Sequence, residues 1–208
     1  MAKLVAVLDY GMANLLSVEH ALLEVGFDAR ITSDPALVLA ADAVVVPGVG
    51  AFADACRNLK EYGLFEPLQQ VLADNRPFLG ICLGLQLLFE RSEELGSQEE
   101  GLAFLKGSVV RFPPGLNVPH MGWNQLTLTH PSPLFEGIPA SEYFYFVHSF
   151  YGAPEEDSAI LARTNYGLDF CSAIQVGNVY ATQFHPEKSQ KAGRRFLSNF
   201  RRLVTECS

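Results

Sequence analysis

No stretch of this 208-residue chain approaches the roughly 18 uncharged apolar residues of a membrane-spanning helix, and the apolar run Leu4 to Leu8 is broken by Asp9. Neither a signal peptide nor a membrane span is expected, and the sequence reads as a cytoplasmic protein. Basic residues are the minority. Fifteen Lys and Arg against 23 Asp and Glu leave a formal net charge of -8, and no basic run or aromatic-interleaved basic stripe occurs, which argues against nucleic-acid binding. Cysteine is sparse. Cys56, Cys82, Cys171 and Cys207 lie far apart without CxxC or Cys/His ligand spacing, so neither a disulfide framework nor a metal site is expected. Internal repeats, low-complexity linkers and a phosphate-cradling P-loop are also missing. What is present is 49% hydrophobic content, enough for one core, and the chain reads as a single domain over 1–208.

In the first half, apolar strands alternate with helical patterns, the signature of a mostly parallel sheet covered by helices. Leu4 to Asp9, Ala43 to Pro47 and Pro77 to Gly80 read as strands. Helices are expected over Asn14 to Val25, ended by Gly26, over Ala51 to Lys60, over Phe65 to Asn75 and over Leu83 to Arg91. From Lys106 the pattern shifts to short strands, including Trp123 to Thr129, Tyr143 to Val147, Cys171 to Val176 and Val179 to Phe184, and this half reads as more antiparallel. The acidic stretch Glu93 to Glu100 reads as a solvated loop. A last helix starts near Ser189, an N-cap candidate, and repeats Phe196, Leu197, Phe200 and Leu203 at helical spacing. The expected fold is a three-layer α/β domain, with a mostly parallel central sheet between helices and antiparallel strands in the C-terminal half.

Two short segments about a hundred residues apart carry chemistry. Gly80-Ile81-Cys82-Leu83-Gly84 follows an apolar run and has the form of a nucleophile elbow with cysteine in place of serine: a sharp strand-to-helix turn whose glycines let backbones crowd together. His185-Pro186-Glu187 offers a base and its orienter. If this triplet is extended, as Pro186 favours for its predecessor, positions 185 and 187 point to one side. A thiol at a helix start meets unpaired N–H groups that favour the thiolate, the species that attacks carbonyl carbon. The elbow also supplies the N–H of Leu83 toward a developing oxyanion. A second donor must come from another loop, and Pro47-Gly48-Val49-Gly50, at the same carboxyl edge of the sheet, is the candidate. A lone cysteine is ordinarily a small buried hydrophobe, and a lone His-Pro-Glu an ordinary turn. Each gains its weight from the other. His120 and His148 are alternative bases in principle, but neither has a carboxylate two residues away, and they read as structural or partner-facing; His20 and His130 carry no signal.

With these residues in view, Gly-Ile-Cys-Leu-Gly-Leu-Gln at 80–86 and Gln-Phe-His-Pro-Glu-Lys at 183–188 closely resemble the class I glutamine amidotransferases. Asp9-Tyr10-Gly11, Asn14, Pro47 to Phe52, Pro119-His120-Met121-Gly122-Trp123-Asn124 and Tyr145 to Ser149 resemble, within that class, the glutaminase subunits of imidazole glycerol phosphate synthases of histidine biosynthesis. Ala13 stands where that family commonly has glycine. The resemblance implies that Cys82 attacks the side-chain amide carbon of L-glutamine, giving a γ-glutamyl thioester, that His185 moves protons and that Glu187 holds the imidazole. It implies oxyanion donors at Leu83 and Val49, substrate contacts at Gly48, Gly50 and Gln86, and no cofactor.

The same resemblance implies a heterodimer with a (β/α)8-barrel cyclase subunit that takes up the ammonia and makes imidazole glycerol phosphate and an aminoimidazole carboxamide ribonucleotide. Asn14, Met121, Trp123, Asn124 and Lys188 would face that partner. Trp123, the single tryptophan, sits in a segment too rich in turn formers and polar groups for a simple core strand, and aromatic and Met anchors suit an interface. Because free ammonia would waste glutamine, control is expected at Gly48-Val49-Gly50, where flanking glycines make rotation of the peptide toward the oxyanion sterically easy. Three other readings stand beside this one. Another class I amidotransferase, feeding anthranilate or pyridoxal phosphate synthesis, would differ in the 119–124 segment. A cysteine-type α/β hydrolase usually places its acid before the histidine. A binding module without catalysis would not need all three of Cys82, His185 and Glu187.

Overall fold

In the computed structural model, which describes residues 2–94 and 98–206, the chain builds eight strands into one twisted sheet and adds two small sheets beside it. The elements run β1 (Leu4–Leu8), α1 (Leu15–Glu24), β2 (Asp28–Thr32), α2 (Pro35–Ala40), β3 (Ala43–Gly48), α3 (Phe52–Glu61), α4 (Phe65–Ala73), β4 (Phe78–Cys82), α5 (Leu83–Gln86), β5 (Phe89–Ser92), β6 (Leu105–Arg111), β7 (His120–Gln125), β8 (Thr127–Leu128), β9 (Tyr143–His148), β10 (Phe150–Pro154), β11 (Ile160–Asn165), β12 (Asp169–Val176), β13 (Val179–Thr182) and α6 (Gln190–Glu206). The main sheet has the order β2-β1-β3-β4-β13-β12-β11-β8. Its first five strands are parallel, and β12, β11 and β8 continue it antiparallel.

Alternation along the parallel strands assigns the two faces. Ala6, Leu8, Val44 and Val46 pack with Val38 of α2, Leu59 of α3 and Leu68 and Val71 of α4. Val5, Val7, Val45, Leu79 and Ile81 pack with Val18 and Leu22 of α1, Phe196 and Phe200 of α6, and Phe144 and Phe146 of β9. The strands read as nearly continuous apolar runs because both faces are covered. This is the three-layer arrangement expected, with its antiparallel strands on the C-terminal side.

Several elements depart from expectation. The helix after Cys82 is a single turn, not a run to Arg91. Leu87 and Leu88 instead offer carbonyls to the amides of Leu102 and Leu105, and Phe89–Ser92 pairs with β6, so tertiary pairing takes backbone groups that helix propensity would have kept. Trp123 belongs to a strand that starts at His120, pairs with β9 and ends at Gln125. Ser189 precedes α6 as expected, but its hydroxyl accepts from the Tyr145 N–H at 3.0 Å and donates to the His185 carbonyl at 2.6 Å. It fastens the site rather than capping the helix. Of the acidic stretch 93–100, residues 95–97 lie outside the described residues, as does Cys207; among the rest, Glu94 accepts from the Phe52 N–H and Glu99 pairs with Lys60, so it is a tethered loop.

Candidate active site

Strand register brings the predicted pieces to one edge. Gly48 pairs with Cys82 across β3 and β4, and Ile81 pairs with Thr182 across β4 and β13. Gln183, Phe184 and His185 therefore leave β13 beside the cysteine, at the carboxyl ends where open α/β sheets form their sites. Cys82 ends β4 at φ 55°, ψ -103°, and Leu83 begins α5. A positive φ on a non-glycine residue is the strained corner of a nucleophile elbow. Glycine on each side is a steric requirement: a Cβ on Gly80 would lie 2.6 Å from the Gly84 carbonyl oxygen, and one on Gly84 would lie 1.8 Å from that of Val46.

His185 is held from three directions. Its N–H donates to the Tyr145 carbonyl at 2.9 Å, its own carbonyl accepts from Ser189, and its ring Nδ1 donates to Glu187 Oε1 at 2.8 Å. The triplet is not extended throughout. His185 has extended backbone, but Pro186–Lys188 closes a 3-10 turn through hydrogen bonds from the Lys188 and Ser189 amides, and that turn swings Glu187 back to the imidazole. Both side chains are buried, 3% and 2% exposed. With Nδ1 bound to the carboxylate, Nε2 has no hydrogen bond of ordinary geometry, and the group acting on it is Cys82. Long nucleophile–base contacts are usual before substrate arrives. Burial disfavours the charged ring, but hydrogen bonding and charge from Cys82 and Glu187 outweigh it and raise His185 to about 9. The ring is an imidazolium at neutral pH, able to donate.

The loop after β3 holds a closed arrangement. The Val49 N–H donates to the Met12 carbonyl at 2.8 Å. Gly50 has φ 105°, and Tyr10, fully buried, donates its hydroxyl to the Pro47 carbonyl at 2.8 Å. A Cβ at Gly48 would meet that hydroxyl at 2.1 Å and Leu83 Cβ at 2.9 Å, so the loop lies tight on the elbow. Burial pushes the Tyr10 phenol well above its ordinary value, so it stays a neutral donor. Gln86 is buried; its Nε2 donates to the Phe150 carbonyl at 3.0 Å and to Gln183 Oε1 at 3.2 Å. Gln183, fully buried, was not singled out from sequence, although it stands two residues before His185; its Nε2 donates to Cys82 Sγ at 3.5 Å. A cleft of about 740 Å³ between α1 and α6 touches Glu187, Lys191 and Arg194 but not Cys82, so it is not the way to the thiol.

Other titratable groups are accounted for. Burial pushes the Cys56 and Cys171 thiols up to about 12, which leaves them inert. His148 Nδ1 meets the Phe150 carbonyl at 2.8 Å, so this nitrogen carries the hydrogen; Nε2 then accepts from His120 Nδ1 at 3.0 Å, and His120 Nε2 accepts from Asn124 Nδ2 at 3.3 Å. Burial lowers His148 to about 3 and His120 to about 4, so both are neutral and structural. Among the described residues, no group of three or more His, Cys, Asp or Glu could hold a metal, and no helix is long and apolar enough to cross a membrane.

The predicted docking residues divide. On β7, Met121 and Trp123 point outward, 67% and 46% exposed, while Asn124 turns the other way and donates to the Asn165 carbonyl at 2.9 Å. Trp123 stands edge-on to Tyr145 with centroids 5.8 Å apart, and Lys188 Nζ lies 5.9 Å from the same ring. Tyr145 in turn lies 6.5 Å from the His185 ring. Exposed Asn14 precedes α1.

Comparison with known proteins sharpens this picture. The family model for class-I glutamine amidotransferases matches residues 6–203. Curated relatives named imidazole glycerol phosphate synthase subunit HisH are 52% identical over 200 residues in Moorella thermoacetica (96% of this chain, 95% of that protein) and 50% identical over 201 residues in Methanothermobacter thermautotrophicus (97% and 99%). Among solved structures, one titled glutamine amidotransferase superposes with a TM-score of 0.76 at 22% identity, covering 97% of this chain and 98% of its own. PurLQS from Thermotoga maritima gives 0.73 at 17%, covering 100% and 99%. At those identities the two structures speak to the fold alone.

Proposed function

This chain belongs to the class-I glutamine amidotransferase family, and on that premise we propose that Cys82, His185 and Glu187 hydrolyse L-glutamine so that a partner subunit receives the ammonia. Relatives about half identical over nearly the whole chain place the activity in imidazole glycerol phosphate synthase and histidine biosynthesis. The single observation that carries the triad is the buried His185–Glu187 pair beside a cysteine held at positive φ. Cys82 Sγ attacks the side-chain amide carbon; His185 Nε2 gives its proton to the departing ammonia; water, activated by the same nitrogen, then cleaves the γ-glutamyl thioester and releases glutamate. Glu187 keeps Nδ1 protonated and the ring aimed.

The oxyanion needs Leu83 N–H and a second donor. We assign that donor to Val49, whose N–H is spent on Met12 in this state. Rotation of the 48–49 peptide, between Gly48 and a Gly50 already at φ 105°, would free it, so the chain by itself is nearly silent. Gly48 and Gly50 border the glutamine site. Gln86 spends Nε2 on Phe150 and Gln183, which leaves Oε1 to accept from a substrate N–H. Met121, Trp123, Lys188 and Asn14 form the docking face for the partner, a (β/α)8-barrel cyclase in the proposed heterodimer, while Asn124 braces that face from behind through His120.

A glutamine-like electrophile such as a diazoketone analogue, followed by peptide mass spectrometry, tests the triad: a single adduct on Cys82, lost in Cys82→Ala, is expected. Labelling confined to other cysteines would contradict it.

A further inference from the structure

Among the described residues, Gln183 is the one fully buried side chain with a hydrogen bond to the nucleophile's sulfur, and its orientation follows from its neighbours. The Phe150 carbonyl can only accept, and it accepts from Gln86 at 3.0 Å and His148 at 2.8 Å. An acceptor cannot face it, so Gln86 must present Nε2 there. That same Nε2 lies 3.2 Å from the Gln183 amide, which must therefore turn its Oε1 toward Gln86. What remains for Cys82 is the Gln183 Nε2, at 3.5 Å from Sγ. Gln183 is fastened at its backbone too, its N–H donating to the Ser172 carbonyl at 2.9 Å. The Phe150 carbonyl fixes the Gln86 amide and the Gln86 amide in turn fixes that of Gln183, so the donor is present before substrate arrives.

We propose that Gln183 is a positioning residue for the nucleophile: its amide N–H, held in one orientation by Gln86 and the Phe150 carbonyl, hydrogen-bonds the Cys82 sulfur and favours the thiolate over the thiol. The proton that leaves sulfur is the one His185 Nε2 carries in the resulting thiolate–imidazolium pair, so no further reactant is needed. A donor kept in a water-excluded place stabilises an anion without reorganising, as oxyanion donors do. The inference rests on Cys82 being the nucleophile, but its test does not depend on glutaminase turnover.

The test is the rate of iodoacetamide alkylation at Cys82, read by peptide mass spectrometry on the whole chain from about pH 5 to about pH 10, for the parent, Gln183→Met and Gln183→Glu. The other titratable groups acting on the thiol, namely His185, Glu187 behind it and Tyr10 from the loop after β1, are the same in all three. Losing the donor is expected to move the alkylation midpoint up by about one pH unit, roughly tenfold less thiolate below it, and the like-sized carboxylate of Gln183→Glu is expected to move it further. Glutamine turnover should fall in kcat with KM little changed. Unchanged midpoints in folded variants would overturn the role of Gln183 alone, and a buried amide serving only packing would give that result while lowering thermal stability. Absence of Cys82 labelling in the parent would instead strike at the nucleophile itself. Should Gln183→Met fail to fold, the near-isosteric Gln183→Glu decides the matter.

Discussion

Among single residues, His185 carries the sharpest consequence because it is buried, charged and paired. Its folded pKa, raised to about 9, exceeds the unfolded value near 6.5, so the native state holds the extra proton between these values. The resulting stability is fully present below about pH 6.5 and is lost as pH rises through about 9. His120 and His148 act in the opposite window. Their folded values, about 4 and about 3, lie below 6.5, so the unfolded chain binds more protons there and stability falls as pH drops from about 6.5 toward 3. Urea unfolding across pH should peak near 6.5; His185→Gln should flatten the alkaline limb and leave the acid limb. An unchanged alkaline limb would contradict the charged state of His185. For turnover, Glu187→Gln keeps the shape but removes the charge that fixes the proton on Nδ1. Glutamate release should drop by about 10²- to 10⁴-fold without loss of fold, and activity near that of the parent would show that Glu187 does not orient the ring.

Two elements govern what the cysteine can do: the elbow between β4 and α5, and the loop after β3. The elbow closes only with glycines, since a Cβ on Gly84 meets backbone oxygen rather than a movable side chain. Gly84→Ala should destabilise the chain by at least about 2 kcal/mol in denaturant unfolding, and a smaller loss would mean that α5 can shift away from β3. Gly50 differs. A Cβ there meets only the end of the Met12 side chain at 2.7 Å, but φ 105° is hostile to a branched residue. Gly50→Val should fold, yet lose turnover and its activation by the partner; normal turnover and activation would remove support for peptide rotation.

At this scale the reach of the sequence is also clearest. Cys82, His185 and Glu187 were legible because elbow glycines and a His-x-Glu triplet are local patterns with one chemical reason each. The strands at Leu4–Leu8, Ala43–Gly48 and Phe78–Cys82 and the helices α1, α3 and α4 were legible from apolar periodicity, whereas β2 and α2, short and only partly buried, were not. Gln183 was not, because a glutamine at a strand end signals nothing until Gln86, 97 residues away and itself fixed by the Phe150 carbonyl, defines its orientation. The short α5 escaped for a similar reason: the backbone of 87–92 is claimed by residues from 101 onward.

Across the whole molecule, the face bearing Met121, Trp123 and Lys188 lies one ring from the base, since Tyr145 touches Trp123, Lys188 and His185. A partner seated on this proposed docking face would lie one ring from His185, as transfer of ammonia between subunits requires. Trp123→Ala should weaken binding of the cyclase at least about tenfold while hardly changing the stability of the isolated chain, as for an exposed interface anchor. The measurement that bears most directly on the account is glutamate release from glutamine by the purified chain, alone and with the cognate cyclase and its nucleotide ligand, beside Cys82→Ala. Low release alone with strong, Cys82-dependent activation in the complex is the expected result; release that ignores the cyclase, or that survives loss of Cys82, would contradict it.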